Sequence, residues 1–227
     1  MPGELHHSTW LGERACDYVD ETAGDDRPFF LFVGFPDPHH PFVPPEDVAC
    51  DFLDAPVADP AWSEAELLDK PSCVRECLRR PSARNVRNLP ADSVRAVRRY
   101  TAAMFSLIDR AVGRILGKLQ QAGLSDRTLV VFTSDHGDYL GDHGLLLKGA
   151  HASDALLHTP LLLRAPQADL PARVDRAVSN VDVMPMLLSL LGVEVPAGLP
   201  GRDAFAGDAH PLPLAQCGGP DEQERNL

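Results

Sequence analysis

The sequence predicts an α/β fold built around a mostly parallel β-sheet. Two short stretches, residues 29–33 and 128–133, are continuously apolar, as strands covered on both faces of a sheet usually are. Between them, apolar residues recur at helical spacing from Val94 to Leu119, which predicts a long helix. A strand, a crossing helix and a second strand form a right-handed crossover, which places both strands parallel in one sheet.

The first half of the chain contains one further helix and one irregular segment. Residues 6–20 are predicted to form a short helix, since their apolar side chains recur at helical spacing. Residues 46–90 carry prolines, scattered acids and a basic run that includes Cys77, and we interpret them as an irregular insertion between core elements. The basic run itself is typical of a solvated face.

The long helix is predicted to cover residues 92–121, with Asp92 or Ser93 as its cap and Gly123 ending it. Residues 161–163 are predicted to form a second short strand of this half, and residues 182–191 a helix. In that helix Pro185 fits only the first turn. Residues 1–207 are expected to make one domain, and the polar residues 208–227 a disordered tail.

Composition restricts the classes of function. The 227-residue chain has 44% hydrophobic and 24% charged residues, which is ordinary for a globular domain. Its net charge of −12 argues against a nucleic-acid surface. We expect no membrane segment and no signal peptide in the chain as written, and hence a cytoplasmic location. The five cysteines are odd in number and mostly far apart, so we expect free thiols and favour a reducing compartment.

Two loops that follow the predicted strands carry chemically useful side chains. Ser134, Asp135 and His136 come directly after one strand, and His39 lies in a proline-rich loop after the other. Such loops are often ordinary surface turns. Open α/β sheets, however, bind ligands beyond the carboxyl ends of their strands, and both loops are predicted to lie there. A carboxylate and an imidazole at that edge are candidate metal ligands.

Longer motifs in both loops resemble those of the type I sulfatases, in the alkaline-phosphatase-like superfamily. The two motifs are SDHGDYLGDHGLLLK, residues 134–148, and PHHPF, residues 38–42. The resemblance implies a three-layer α/β sandwich that is incomplete at its N-terminus. It implies that Asp135 and His136 bind a divalent cation, Ca²⁺ first and Mg²⁺ as the alternative. It also implies that Lys148 and His39 contact the sulfate, with His39 assisting the leaving group. It implies further that residues 1–207 form a partial catalytic domain, and that Asp182 is a helix cap and not a metal ligand.

The nucleophile that the resemblance implies is absent from the sequence. Sulfatases use a formylglycine made from the cysteine of a Cys-x-Pro-x-Arg motif. The nearest match, CLRRPSAR from Cys77 to Arg84, has the wrong spacing and follows the His39 loop instead of preceding it. Two metal ligands are also too few for a hard divalent ion, which prefers six or more donors. Further carboxylates are expected from a missing N-terminal segment or a partner chain.

Three functional hypotheses remain open. The first is a sulfuric ester hydrolase acting on a sulfated small molecule or sugar, with this chain inactive by itself. The second is a phosphoric or phosphonic ester hydrolase of the same superfamily, because an Asp–His metal pair serves both chemistries. The third is a non-catalytic binding remnant that keeps the fold alone. Metal content separates the third hypothesis from the other two.

Overall fold

The computed structural model describes residues 2–70, 72, 75, 86, 89–149 and 153–206. Cys73, Cys77, most of the basic run and the predicted disordered tail lie outside these residues. The chain divides into two compact units. The first unit comprises the chain up to Asp126 together with the loop Asp138–Leu147, and the second unit comprises Arg127–Gly137 and the chain from Lys148 onward.

The described part of the first unit is helical. Its helices are α1 (His7–Thr22), α2 (Glu46–Ala49), α3 (Glu64–Leu68) and α4 (Ala91–Gln121). The predicted helices at residues 6–20 and 92–121 are thereby confirmed within two residues at each end. In the part of the chain that the structure describes, no helix has both the length and the apolar character needed to cross a bilayer.

Helices α1 and α4 pack closely because small residues face each other. The buried face of α1 consists mainly of small side chains, including Gly12 and Ala15, and only the Val19 side chain there is larger. A Cβ atom placed on Gly12 would lie 2.8 Å from the Cβ of Ala111 on α4. The larger Trp10 side chain of α1 is 55% exposed. Burial in this helix therefore follows the residues that allow close backbone approach and not the largest apolar ones.

The ends of α4 follow backbone rules. At the C-terminus Gly123 adopts φ +68°, its N–H donates to the Gln120 carbonyl, and the N–H of Leu124 donates to the Leu119 carbonyl. This is the glycine stop that the sequence predicts. At the N-terminus Pro90 occupies the capping position with no side-chain cap bond. The predicted cap at Asp92 or Ser93 was wrong, because Pro90 begins the helix earlier.

Residues 29–33 do not form the predicted buried strand. No strand is assigned to them, and the side chains of Phe30 and Phe32 are 80% and 82% exposed. A run of apolar residues favours burial of their side chains. A strand also needs a neighbouring strand whose N–H and C=O groups complete its hydrogen bonds, and the sequence run does not provide one.

The second unit contains the one sheet found among the described residues. Strand β1 (Val130–Thr133) pairs antiparallel with β2 (Leu161–Arg164), so that Val130 faces Arg164 and Thr133 faces Leu161. The predicted strand at residues 161–163 is confirmed, whereas a mostly parallel sheet is not found in the described chain. Hydrophobic runs predict strands without specifying which neighbour each one pairs with. A short helix, α5 (Asp154–Leu157), lies between the two strands in sequence.

The last helix of the second unit, α6 (Val183–Leu190), agrees with the sequence prediction. Pro185 is buried in its first turn, and Gly192 with φ +67° follows its end. Asp182 holds the predicted cap position but makes no side-chain bond to the helix; its carboxylate accepts the N–H of Ser179 and the N–H of Arg202, each at 2.8 Å. Two charge-assisted bonds to backbone donors explain why this carboxylate is buried.

The loop Asp138–Leu147 is held inside the first unit by one arginine of α4. The Arg98 guanidinium donates to the carbonyls of Leu140 and Ala58, at 2.8 and 3.0 Å, and to Asp142 Oδ1 at 2.6 Å. Asp142 Oδ1 also accepts the N–H of Ala61 at 2.7 Å. The carboxylate of Asp142 is therefore committed to loop structure.

Two neighbouring side chains in this loop also have structural partners. Asp138 Oδ1 accepts the N–H of Leu140 at 2.9 Å, which stabilises a local turn. His143 adopts φ +54°, and its Nδ1 lies 2.7 Å from Glu66 Oε1. Although these residues belong to the motif at residues 134–148, their contacts stabilise the loop within the first unit.

Substituting alanine for Gly12 should destabilise the α1–α4 contact. Both Gly12→Ala and Gly113→Ala gain helix propensity, but only the first places a methyl group against Ala111, since nothing lies within 4 Å of a Cβ at Gly113. We expect Gly12→Ala to be less stable than Gly113→Ala by about 1 to 3 kcal/mol. Urea unfolding followed by circular dichroism measures the difference. Equal stability of the two variants would show that the helices can separate at no cost.

Replacing Arg98 with lysine should loosen the loop Asp138–Leu147. Lysine keeps the charge but cannot reach three acceptors with one planar group, so we expect a loss of about 1 to 2 kcal/mol. Hydrogen exchange at the amides of Asp142 and His143 should accelerate in parallel. Arg95→Lys is the matched control, because Arg95 pairs with the exposed Asp59 and should unfold like the wild type. An unchanged exchange rate in Arg98→Lys contradicts the assigned role.

Candidate active site

The loop after β1 presents a carboxylate and an imidazole side by side. The side chain of Asp135 is 85% exposed, and its Oδ1 accepts the N–H of His136 at 2.9 Å. Ser134 Oγ donates to the carbonyl of His136 at 3.0 Å. These short-range bonds fold the chain back on itself directly beyond Thr133, the last residue of the strand. The two neighbouring side chains therefore no longer point to opposite faces as they would in a regular strand.

The imidazole of His136 is oriented as a metal-binding imidazole would be. Its Nδ1 lies 2.9 Å from the carbonyl oxygen of Gly137, and since a carbonyl only accepts, Nδ1 carries the proton. The lone pair is then on Nε2, which lies 3.6 Å from Asp135 Oδ2. A backbone carbonyl that fixes the tautomer of a ligating histidine is a common feature of metal sites.

Two residues outside the predicted ligand set hold this loop in place. Asn180 Nδ2 donates to the carbonyls of Ser134 and Asp135, at 3.0 and 3.3 Å. Gly137 donates its N–H to the Leu156 carbonyl, and a Cβ at this position would lie 2.0 Å from the oxygen of Ala155. Gly137 was expected to give the loop freedom, whereas its role here is to permit close approach of α5. No sequence signal connects Asn180 to a loop 45 residues earlier.

Lys148 belongs to the same unit as Asp135 and His136. It is half-buried and follows Leu147, whose φ is +63°. Within the described residues the Lys148 ammonium has no carboxylate partner, unlike Lys70 and Lys118, which pair with Glu66 and Asp20. A partly desolvated ammonium that is not neutralised by the protein is suited to an anionic ligand.

His39 lies in the first unit, at the tip of the proline-rich loop. Its side chain is exposed, and its N–H donates to the Pro36 carbonyl in a tight turn. Its Nδ1 lies 2.7 Å from the His40 carbonyl, and the two imidazole rings stack at 4.0 Å. By the same reasoning as for His136, Nδ1 carries the proton and Nε2 faces outward, available to accept a proton or, once protonated, to donate one.

A buried carboxylate two residues before His39 fastens this loop to α1. Asp37 accepts the Ser8 hydroxyl and lies 3.0 Å from His7 Nε2 and 3.4 Å from His6 Nδ1. Burial lowers the pKa of His6, although the Asp37 carboxylate acts in the opposite direction. Sequence reasoning treated Asp37 as part of a turn and overlooked the pair of histidines at the start of α1, because their proximity depends on tertiary structure.

The Asp135–His136 pair fits a divalent cation as part of a ligand set. One carboxylate and one imidazole face each other at a separation that a shared ion allows, but Ca²⁺ takes six to eight oxygen ligands and Mg²⁺ six. Within the described chain, the only group of three or more His, Cys, Asp or Glu donors close enough to share an ion is His6, His7 and Asp37 in the first unit. Among the described residues, the Asp135–His136 pair therefore has no third His, Cys, Asp or Glu donor within reach of a shared ion.

Comparison with known proteins identifies relatives across most of the chain. The chain is 30% identical over 201 residues to an uncharacterized sulfatase, YidJ, from Escherichia coli K12, covering 87% of this chain and 39% of the relative. It is 32% identical over 214 residues to the multifunctional alkaline phosphatase superfamily protein PehA from Trinickia caryophylli, covering 89% of this chain and 41% of that protein. The chain thus spans about two fifths of the length of these relatives.

A solved structure supports the same assignment. The phosphonate monoester hydrolase of Agrobacterium radiobacter superposes with a TM-score of 0.73 at 27% identity, covering 89% of this chain and 42% of the hydrolase. The fold is therefore of the sulfatase and alkaline-phosphatase-like type. The family model described as Sulfatase matches residues 6–193, which include both candidate loops and the helices between them. This chain belongs to the sulfatase family.

Proposed function

We propose that this chain supplies part of the active site of a metal-dependent sulfuric ester hydrolase. The observation that carries the proposal is the exposed pair at the end of β1, with His136 Nε2 free of its proton and 3.6 Å from Asp135 Oδ2. Asp135 and His136 provide two ligands for the cation, Ca²⁺ in preference to Mg²⁺. When bound, that cation offsets the negative charge of the sulfate group.

The other two proposed residues act on the substrate directly. Lys148 brings an ammonium that has no carboxylate partner among the described residues to the sulfate oxygens, because a compact positive charge lowers the repulsion that an anionic ester presents to a nucleophile. His39 donates a proton from Nε2 to the oxygen of the departing alcohol when its ring is protonated, since Nδ1 is held by the His40 carbonyl. The substrate class is a sulfate ester of a small molecule or sugar.

The nucleophile is the part of this chemistry that the sequence does not contain. No cysteine of the chain lies in a Cys-x-Pro-x-Arg motif. Of the two cysteines in the described residues, Cys16 is half-buried and burial raises its thiol pKa, which disfavours the reactive thiolate. Cys50 is exposed and is followed by Asp51 and Phe52. We therefore propose that the chain by itself does not turn over substrate.

The first test is catalysis by the purified 227-residue chain, supplied with Ca²⁺ or Mg²⁺ and an aryl sulfate. We expect no turnover above buffer. Fused behind the first part of its E. coli relative, the chain should become active, and His39→Gln in that fusion should lower kcat by about 10² to 10⁴-fold. His158→Ala is the matched control, because His158 is exposed and outside the proposed site. Rapid hydrolysis by the unfused chain would refute the half-site.

Phosphonic or phosphoric ester hydrolysis is the second candidate function. It is favoured by the similarity to the phosphonate monoester hydrolase and to PehA, whose name describes a multifunctional superfamily member. A cation with Lys148 suits a phosphoryl group as well as a sulfuryl group, since both are tetrahedral and anionic. The fusion assayed in parallel on aryl sulfate and aryl phosphonate distinguishes the two. A chain that binds no divalent metal and fails on both substrates supports the third hypothesis, a non-catalytic binding remnant.

We also propose that residues 29–33 join a larger, mostly parallel sheet when another polypeptide segment covers them. Support comes from the continuously apolar sequence and from Phe30 and Phe32, whose exposure is unusual for large apolar residues. Without that cover, an unpaired apolar edge promotes self-association.

The double variant Phe30→Ser/Phe32→Ser should therefore remain monomeric at concentrations at which the wild-type chain associates. Light scattering after size exclusion measures this. Trp10→Ser is the matched control, since it removes an exposed aromatic residue from a helix. Identical association of the control and the double variant would remove the reason for assigning the edge to residues 29–33.

A further inference from the structure

Two histidines and one aspartate from separate segments converge in the first unit. His6 and His7 lie at the start of α1, and Asp37 lies in the loop that carries His39. One potential ligand atom from each residue lies within 4.8 Å of the other two. His7 Nε2 is 3.0 Å from Asp37 Oδ1, and His6 Nδ1 is 3.4 Å from Asp37 Oδ2.

We propose that His6, His7 and Asp37 bind a transition-metal ion, with Zn²⁺ as the best match, and that this ion joins α1 to the His39 loop. Two imidazoles and one carboxylate form a ligand set that zinc uses, completed by water in a fourth position. Ligands at about 2.0 to 2.1 Å from a tetrahedral ion lie roughly 3.3 Å apart, close to the nitrogen–oxygen distances seen here. Two nitrogen donors disfavour Ca²⁺ and Mg²⁺, which prefer oxygen.

Two of the three side chains are buried and the third is partly exposed, a combination that suits a bound ion. The side chains of Asp37 and His6 are 2% and 5% exposed, so their orientations are fixed by packing, whereas that of His7 is 45% exposed and opens a route from solvent. The Ser8 hydroxyl donates to Asp37 Oδ2 and orients the carboxylate from behind. Hydrogen bonds of this kind to ligating carboxylates are a regular feature of metal sites.

Two features of the cluster oppose a cation, but neither is strong. The positive end of the α1 dipole lies at the same place, an effect that weakens cation binding by about fivefold in ordinary exposed geometry. The Ser8 N–H also approaches His6 Nδ1, at 3.4 Å, and competes for its lone pair through a long bond. Three ligands held together by the fold outweigh these terms, because the cost of assembling them is met by folding.

This site is separate from the Asp135–His136 pair that the proposed function uses. The two sites lie in different units of the chain. Their ligand sets also differ: the first has two imidazoles and one carboxylate, and the second has one of each. The inference therefore does not depend on sulfate chemistry, and a metal bound at one site can be assigned by a variant of the other.

The test is zinc titration of the untagged full-length chain in competition with a chromophoric chelator, with Co²⁺ absorption as a second readout. We expect one equivalent of tightly bound Zn²⁺ and d–d bands of tetrahedral Co²⁺. His7→Ala should weaken Zn²⁺ binding at least tenfold, and Asp37→Asn should do the same with little change in shape. Asp135→Asn and His158→Ala should leave the affinity unchanged, the second as a matched loss of one exposed histidine.

Thermal unfolding gives an independent check that the ion binds the folded chain. Zn²⁺ should raise the melting temperature of the wild type and of His158→Ala but not of His7→Ala, since a ligand that binds only the native state stabilises it. His7 is half-exposed, so its replacement should leave the metal-free chain folded. Zinc affinity equal in wild type and His7→Ala, or no binding tighter than micromolar, would mean that the three side chains form a hydrogen-bonded cluster without a metal.

Discussion

The contact between α1 and α4 is the constraint on which the arrangement of the first unit depends. At Gly12 and Ala111 the two helices approach as closely as backbones with almost no side chain allow. One end of α1 then holds Asp37 and with it the loop of His39, and the first half of α4 holds the loop Asp138–Leu147 through Arg98. Both loops carry residues of the family motifs. The small residues in the helix contact therefore indirectly position these two loops.

Most of the carboxylates in the motif loops serve structure, and one remains available for a ligand. Asp37, Asp138 and Asp142 each accept hydrogen bonds from nearby backbone or side-chain donors. Asp135 also accepts the N–H of its neighbour, but its second oxygen faces solvent beside an imidazole nitrogen that has no proton. An acidic loop in a protein of net charge −12 is therefore not a uniform metal site. Its carboxylates are divided between turn formation, an ion pair and one exposed donor.

The sulfatase family model covers most of this chain, which spans about two fifths of the length of YidJ and PehA. The chain carries an Asp–His pair, a lysine without a carboxylate partner in the described region, and an exposed histidine whose Nδ1 lies at a backbone carbonyl. The Asn180 and Gly137 contacts show that the loop of the Asp–His pair is held by specific packing.

The sequence by itself determined the three longer helices, the glycine stop of α4, two short strands and the residues that carry the family resemblance. These features depend on neighbours a few positions apart: the spacing of Val94 to Leu119, the positive φ that Gly123 adopts, and the order of side chains around Asp135. Only the tertiary structure decided that residues 29–33 lack a strand partner, that Gly12 and not Trp10 faces α4, and that Asp37 meets His6 and His7. Those outcomes depend on which segments, far apart in the sequence, come into contact in the folded chain. The local spacing of residues does not specify those contacts.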